Sequence, residues 1–111
     1  MKLKLFLSLL VFFISHAMQA QKNPILPDFH ADPEILYAEQ TGKYYIYSTT
    51  DGYPGWGGCT FSVFSSTDLK KWTDEGVVLD VKSDLVPWAN GNAWAPCIIE
   101  RKQNDGTYKY Y

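Results

Sequence analysis

Gly42-Lys43-Tyr44-Tyr45-Ile46-Tyr47 returns near the end of the chain as Gly106-Thr107-Tyr108-Lys109-Tyr110-Tyr111, and this recurrence decides the fold. Each copy follows a proline with an aliphatic pair close behind it. The first is Pro33-Glu34-Ile35-Leu36 and the second is Pro96-Cys97-Ile98-Ile99. The offset is 63 residues at the prolines and 64 at the glycines, so one residue is inserted between them. Runs rich in Tyr and Ile behind a glycine turn read as strands. Strand units repeated at a fixed offset are the mark of a β-propeller. Two Tyr-rich strands can resemble each other by chance; the shared order of proline, aliphatic pair and glycine argues for a true repeat.

Between the two copies the chain reads as short strands separated by turns. Glu34–Ala38, Lys43–Thr49, Thr60–Ser66 and Gly76–Asp80 carry the strand patterns. Thr60–Ser66 sets Phe61, Val63 and Phe64 among hydroxyl residues, which suits a half-buried strand. The turns are Thr41-Gly42, the glycine-rich run Asp51–Gly58, and Ser66-Thr67-Asp68. Residues 67–71 have room for one helical turn, and no apolar stripe of period 3.6 is long enough for a helix proper. The expected fold is therefore all-β. The chain holds the first blade and the start of the second, and it is expected to be part of a longer protein.

The N-terminus is of a different kind. Lys2 and Lys4 precede an apolar run, Leu5–Ile14, and small residues follow at Ala17 and Ala20. This is the layout of a secretory signal peptide, expected over residues 1–20. The run is shorter than the roughly 20 apolar residues that span a bilayer. Residues 21–111 are then the exported β domain, the N-terminal part of a longer propeller, secreted or periplasmic, with no membrane span after removal of the signal. In such a compartment Cys59 and Cys97 are free to form a disulfide, but nothing in the sequence brings them together. The net charge of −2 provides no basic face for nucleic acid. No His, Cys and Asp spacing suits a metal ion, and no cofactor motif is present.

Two stretches carry candidate chemistry. In Phe29-His30-Ala31-Asp32-Pro33-Glu34, an acidic residue sits just before the innermost strand of a blade, where it would face a central channel. Pro33 biases Asp32 towards an extended conformation and so fixes its direction; the competing reading is an Asp that caps a turn. The second stretch, Asn90–Glu100, occupies the same place in the next blade. Its Trp94 is suited either to stack on a sugar face or to pack between blades. His30 is suited either to line the sugar site or to hydrogen-bond a neighbouring strand, and Asp51 and Trp56 in the glycine-rich loop are further candidates for sugar contact.

The runs Asn23-Pro24-Ile25-Leu26, Ala31-Asp32-Pro33, Phe64-Ser65-Ser66-Thr67-Asp68-Leu69-Lys70-Lys71-Trp72 and Trp94-Ala95-Pro96, in this order, resemble glycoside hydrolase family 43 across residues 23–111. The resemblance implies a five-bladed propeller and inverting hydrolysis of arabinosides, xylosides or related galactosides. It implies that Asp32 is the general base, and that the general acid is a Glu from a later blade, past residue 111. Many members place an acidic residue directly after Trp-Ala-Pro to tune that acid. Here the position is Cys97, so either the role has moved elsewhere, with Glu100 as a candidate, or the substrate class differs.

Two other classes fit the same sequence: a non-catalytic carbohydrate-binding β-protein and a small secreted interaction protein. The sequence does not specify the sugar, the linkage or the oligomeric state. Exported protein is expected to begin at or near Gln21. N-terminal sequencing that finds Met1 would overturn the signal-peptide reading.

Overall fold

The computed structural model of the protein describes residues 23–111, so the segment read as a signal peptide lies outside the described residues. β1 (His30–Ala38), β2 (Lys43–Thr50), β3 (Thr60–Ser66) and β4 (Thr73–Asp80) form one antiparallel sheet in chain order. β5 (Glu100–Lys102) and β6 (Tyr108–Tyr110) form a separate hairpin. Four strands, each paired with its sequence neighbour, are the meander of one propeller blade.

Three local expectations are corrected. β1 starts at His30 rather than Glu34, because His30 and Ala31 still pair with Thr50 and Thr49. β4 starts at Thr73 rather than Gly76, since Ser65 pairs with Thr73 and Phe64 with Asp74. Residues 67–71 form bends and no helical turn. Their shape comes from side chains: Ser66 Oγ accepts the N–H groups of Asp68 and Leu69 at 3.2 and 2.9 Å. Asp68 Oδ1 accepts those of Lys70 and Lys71, both at 2.9 Å. These backbone donors hold the Asp68 carboxyl below its usual range. Short polar side chains that bond the backbone nearby offer it an alternative to the helix. A 3-10 turn over Pro54–Trp56 lies in the glycine-rich loop and was not anticipated.

Alternation along β2 gives the blade two faces. Ile46, Ser48 and Thr50 point to the first. Ile46 pairs with Phe64 across β2 and β3, and Leu26 from the entry segment completes a buried cluster. Trp72, just past the bends, packs against that cluster, and its Nε1 is buried without a hydrogen-bond partner. Burying side chains of this size stabilises by about 1.5–3 kcal/mol each. Tyr45, Tyr47 and Thr49 point to the second face.

The second hairpin repeats the first with a shifted register. In the first, Ala38 pairs with Lys43 around Glu39-Gln40-Thr41-Gly42. In the second, Lys102 pairs with Tyr108, and Gln103 N–H bonds the Thr107 carbonyl around a shorter turn. Ile99 and Tyr111 exchange both backbone bonds at 3.0 Å and extend the ladder by one pair. Matching the glycines of the two turns makes Ile99 the counterpart of Glu34, two positions from the match that the prolines suggest. An even slip keeps every side chain on its own face, which is why the repeat survives it.

Large apolar side chains remain in contact with solvent. Ile35 and Tyr37 on the first face are 55 % and 52 % exposed, and Val77 and Val78 on β4 are 59 % and 53 % exposed. Residues 23–111 produced alone are therefore expected to self-associate and to bind a hydrophobic dye. Light scattering that gives a monomeric mass, together with a cooperative thermal transition, would contradict this.

Candidate active site

Proline 33 shapes the start of the site. It has no N–H to give to a ladder, so it fits inside a strand only at an edge or a bulge. β1 has such a bulge: Ala31 pairs with Thr49 and Glu34 with Tyr47, so Asp32 and Pro33 together oppose Ser48. Asp32 takes φ of 45° there, which corrects the expectation of an extended residue. One extra residue re-aims a side chain relative to regular alternation, and backbone in this region is held by its surroundings rather than by preference.

Asp32 borders a recess of about 200 Å³ whose other walls are Ala31, Thr49, Asp51 and Trp94. Three of the residues singled out from sequence, Asp32, Asp51 and Trp94, thus meet in one place. Asp32 is exposed, Asp51 half-buried, and Trp94 is 52 % exposed. Asp51 is placed by its main chain, whose N–H bonds the Phe29 carbonyl at 3.1 Å and continues the β1–β2 ladder. A neighbouring recess of about 350 Å³ uses the other side of Asp51, with Phe29, Gly52 and Tyr53 among its walls. Phe29 and Tyr53 were not singled out as sugar contacts.

Two hydrogen bonds carry the Trp94 segment onto the second face of the blade. Ala95 N–H donates to Thr49 Oγ1 at 2.8 Å, and Ala93 N–H donates to the Gly58 carbonyl at 2.9 Å. A Cβ on Gly58 would lie 2.5 Å from the Thr50 carbonyl oxygen, so only glycine lets residue 58 pass this close to the end of β2. The backbone is bent to reach both: Asn92 and Ala95 have φ of 58° and 48°. Thr49 and Gly58 were both missed from sequence. A threonine inside a β run has no local signature of a long-range bond, and a glycine in a glycine-rich loop has many explanations.

The other candidates lie elsewhere. His30 Nδ1 is 2.9 Å from Ser48 Oγ, and its ring meets Phe64 edge-on at 5.0 Å. It belongs to the first face and does not border the recess of Asp32. Trp56 lies in the 3-10 turn, and its side chain lies outside the described residues. Cys97 is exposed, Cys59 is half-buried, and both are free thiols. Among the described residues no group of three His, Cys, Asp or Glu side chains converges to hold a metal.

Glu100 is placed away from Asp32. Its Oε1 accepts Glu39 N–H at 2.8 Å, and its Oε2 accepts the Tyr110 hydroxyl at 2.8 Å. Glu39 follows the far end of β1, and the strand length between it and Asp32 is roughly 20 Å at about 3.3 Å per residue. Glu100 therefore does not touch the recess. It latches the second hairpin to the β1–β2 turn, where the Tyr110 hydroxyl also lies 2.9 Å from Gln40 Oε1. Partial burial, the Glu100 carboxylate, and Tyr45 and Tyr47 push the Tyr110 phenol up from 10.0 to about 12.

The family model for Glycosyl hydrolases family 43 matches residues 21–111. The chain is 34% identical over 95 residues to the β-D-galactofuranosidase xynD of Aspergillus niger, covering 80% of this chain and 26% of that protein. It is 33% identical over 107 residues to xylosidase/arabinosidase 43B of Humicola insolens, covering 83% of this chain and 19% of that one. Among solved structures, RS223 β-xylosidase superimposes with a TM-score of 0.61 at 23% identity, over 84% of this chain and 34% of the other. The chain thus spans about a quarter or less of the curated relatives it matches.

The Tyr110 latch is testable by titration. Its folded pKa lies above the unfolded value of 10.0, so its contribution is fully present below pH 10 and lost as pH rises through about 12. In the parent protein, Tyr110→Phe should remove one phenol from the ultraviolet titration near pH 12. Loss of a phenol that ionises near 10 would show that the latch does not form.

Proposed function

We propose, on the premise that this chain belongs to glycosyl hydrolases family 43, that the protein containing it hydrolyses arabinosides, xylosides or related galactosides with inversion. The reading rests on one observation: Asp32, Asp51 and Trp94, distant in sequence, border a single recess. The relatives' names, a galactofuranosidase and a xylosidase/arabinosidase, support the same sugar classes. The expected signal peptide adds that the substrate is met outside the cytoplasm.

Asp32 is the general base. Its carboxylate takes the proton of a water as that water attacks the anomeric carbon. Trp94 offers a flat apolar face to the sugar ring, and Asp51 accepts a hydrogen bond from a sugar hydroxyl. An inverting enzyme needs a second carboxyl about 6.5–9.5 Å from the first, protonated and on the other side of the scissile bond. Asp51 does not suit that role. It continues β2, the strand next to β1, and neighbouring strands are about 4.8 Å apart, so both aspartates stand on one wall. The acid must come from across the channel, from a part of the propeller beyond these residues. Its pKa must be raised so that it holds a proton near neutral pH. This chain alone then carries one half of the acid–base pair and is inactive.

Asp32→Asn in the parent protein tests the assignment. Asn matches Asp in size and still hydrogen-bonds a water, but it cannot take the water's proton. Turnover of an aryl arabinoside, xyloside or galactoside is expected to fall about 10²–10⁴-fold, with little change in KM or melting temperature. If Asp32 only shapes the turn at Pro33, activity stays within about threefold while the melting temperature drops, and the hydrolase reading loses its base.

A further inference from the structure

We propose that Thr49 is the positioning residue of this site: its hydroxyl oxygen sets the Ala95 backbone and thereby the place of the Trp94 ring beside Asp32. The inference rests on the hydrolase reading only in naming a sugar as what Trp94 meets.

Four observations carry it. Ala95 has φ of 48°, and alanine has no side-chain group that favours this region. Something outside the residue must hold it, and its N–H is spent on Thr49 Oγ1 at 2.8 Å. Thr49 is 3% exposed, so its hydroxyl oxygen, the acceptor side of that bond, is shielded from water. Thr49 is also β-branched, which limits its χ1 and keeps Oγ1 in one place.

The same side chain stands at the other wall. Thr49 pairs with Ala31, the residue before Asp32, and it borders the recess between Asp32 and Trp94. One rigid residue of β2 therefore references both the bulged strand and the Trp94 segment. The second tether, from Ala93 to the Gly58 carbonyl, restrains the segment two residues further back. It limits how far the segment strays but leaves the bend at Ala95 to Thr49. Without the Thr49 oxygen, Ala95 relaxes towards negative φ and the adjoining Trp94 turns away from the sugar.

Valine has the shape of threonine without the oxygen, and serine keeps the oxygen without the methyl. The experiment measures binding of 4-nitrophenyl α-L-arabinofuranoside, β-D-xyloside and β-D-galactofuranoside by calorimetry. It uses the parent protein and its Asp32→Asn form, in which binding is separated from turnover. On that background Thr49→Val should weaken the best-bound glycoside about tenfold, equal to about 1.4 kcal/mol. Deuterium exchange of the peptide containing residues 93–97 should rise with it. Thr49→Ser should bring both back to within about threefold of the parent. Unchanged affinity in Thr49→Val overturns the proposal whatever the melting temperature does, because a purely structural threonine would affect only the latter. Failure of serine to restore affinity also overturns it. If the valine variant does not fold, Thr49→Ala carries the same expectations. A parent that binds these glycosides without hydrolysing them removes the hydrolase reading and leaves the Thr49 comparison decisive. A parent that binds none of them overturns both.

Discussion

A proline without an N–H sits inside the first strand of the blade, and the arrangement of the site follows from that. Pro33 cannot join the β1–β2 ladder, so the ladder skips two residues on one strand against one on the other. The skip gives Asp32 a positive φ at the recess it shares with Trp94. On either side of the bulge, pairing resumes and the strand regains its register with β2. The irregularity is confined to the residue whose direction matters, while the strand keeps its place in the sheet.

The second constraint is the contact between the first blade and the segment leading into the next. That segment is fastened near both ends of β1 and β2. At one end Thr49 and Gly58 take the N–H groups of Ala95 and Ala93. At the other, Glu100 and Tyr110 grip the Glu39-Gln40 turn. Between these ends lie Tyr45, Tyr47 and Thr49 of the second face. The polar groups thus fasten this segment to the first blade at both margins.

Much of this was legible in the sequence. Period-two alternation and the glycine turns located all four strands of the blade, and the repeat of Pro33–Tyr47 at Pro96–Tyr111 announced the second hairpin. Asp32, Asp51 and Trp94 were named before their meeting was visible. What could not be read were features fixed by contacts distant in sequence. The expectation for Asp32 used only its neighbour Pro33, whereas its φ is set by the ladder on both sides. Glu100 is a candidate in the sequence only through its closeness to Cys97, whereas its position is set by Glu39 and Tyr110. Of the two readings open for His30, the bond to a neighbouring strand is the one present, since it meets Ser48 and packs on Phe64. The bends at 67–71 looked helical because the Ser66 and Asp68 side chains compete with the helix for the same N–H groups.

The meander has a consequence in time. Each strand of the blade pairs with the strand made just before it, so the sheet can close from short loops while the rest of the polypeptide is still being synthesised. The bond from Ala95 to Thr49 is of another kind, since it joins residues 46 apart. Closing a loop of that size carries a larger entropic cost, and it is repaid only after a surface exists to close upon. The order of events is then strict. The nascent blade presents Thr49 first, and the wall bearing Trp94 arrives later as a latecomer docking on a finished template. A chain stalled between these moments would hold a formed sheet with half a pocket.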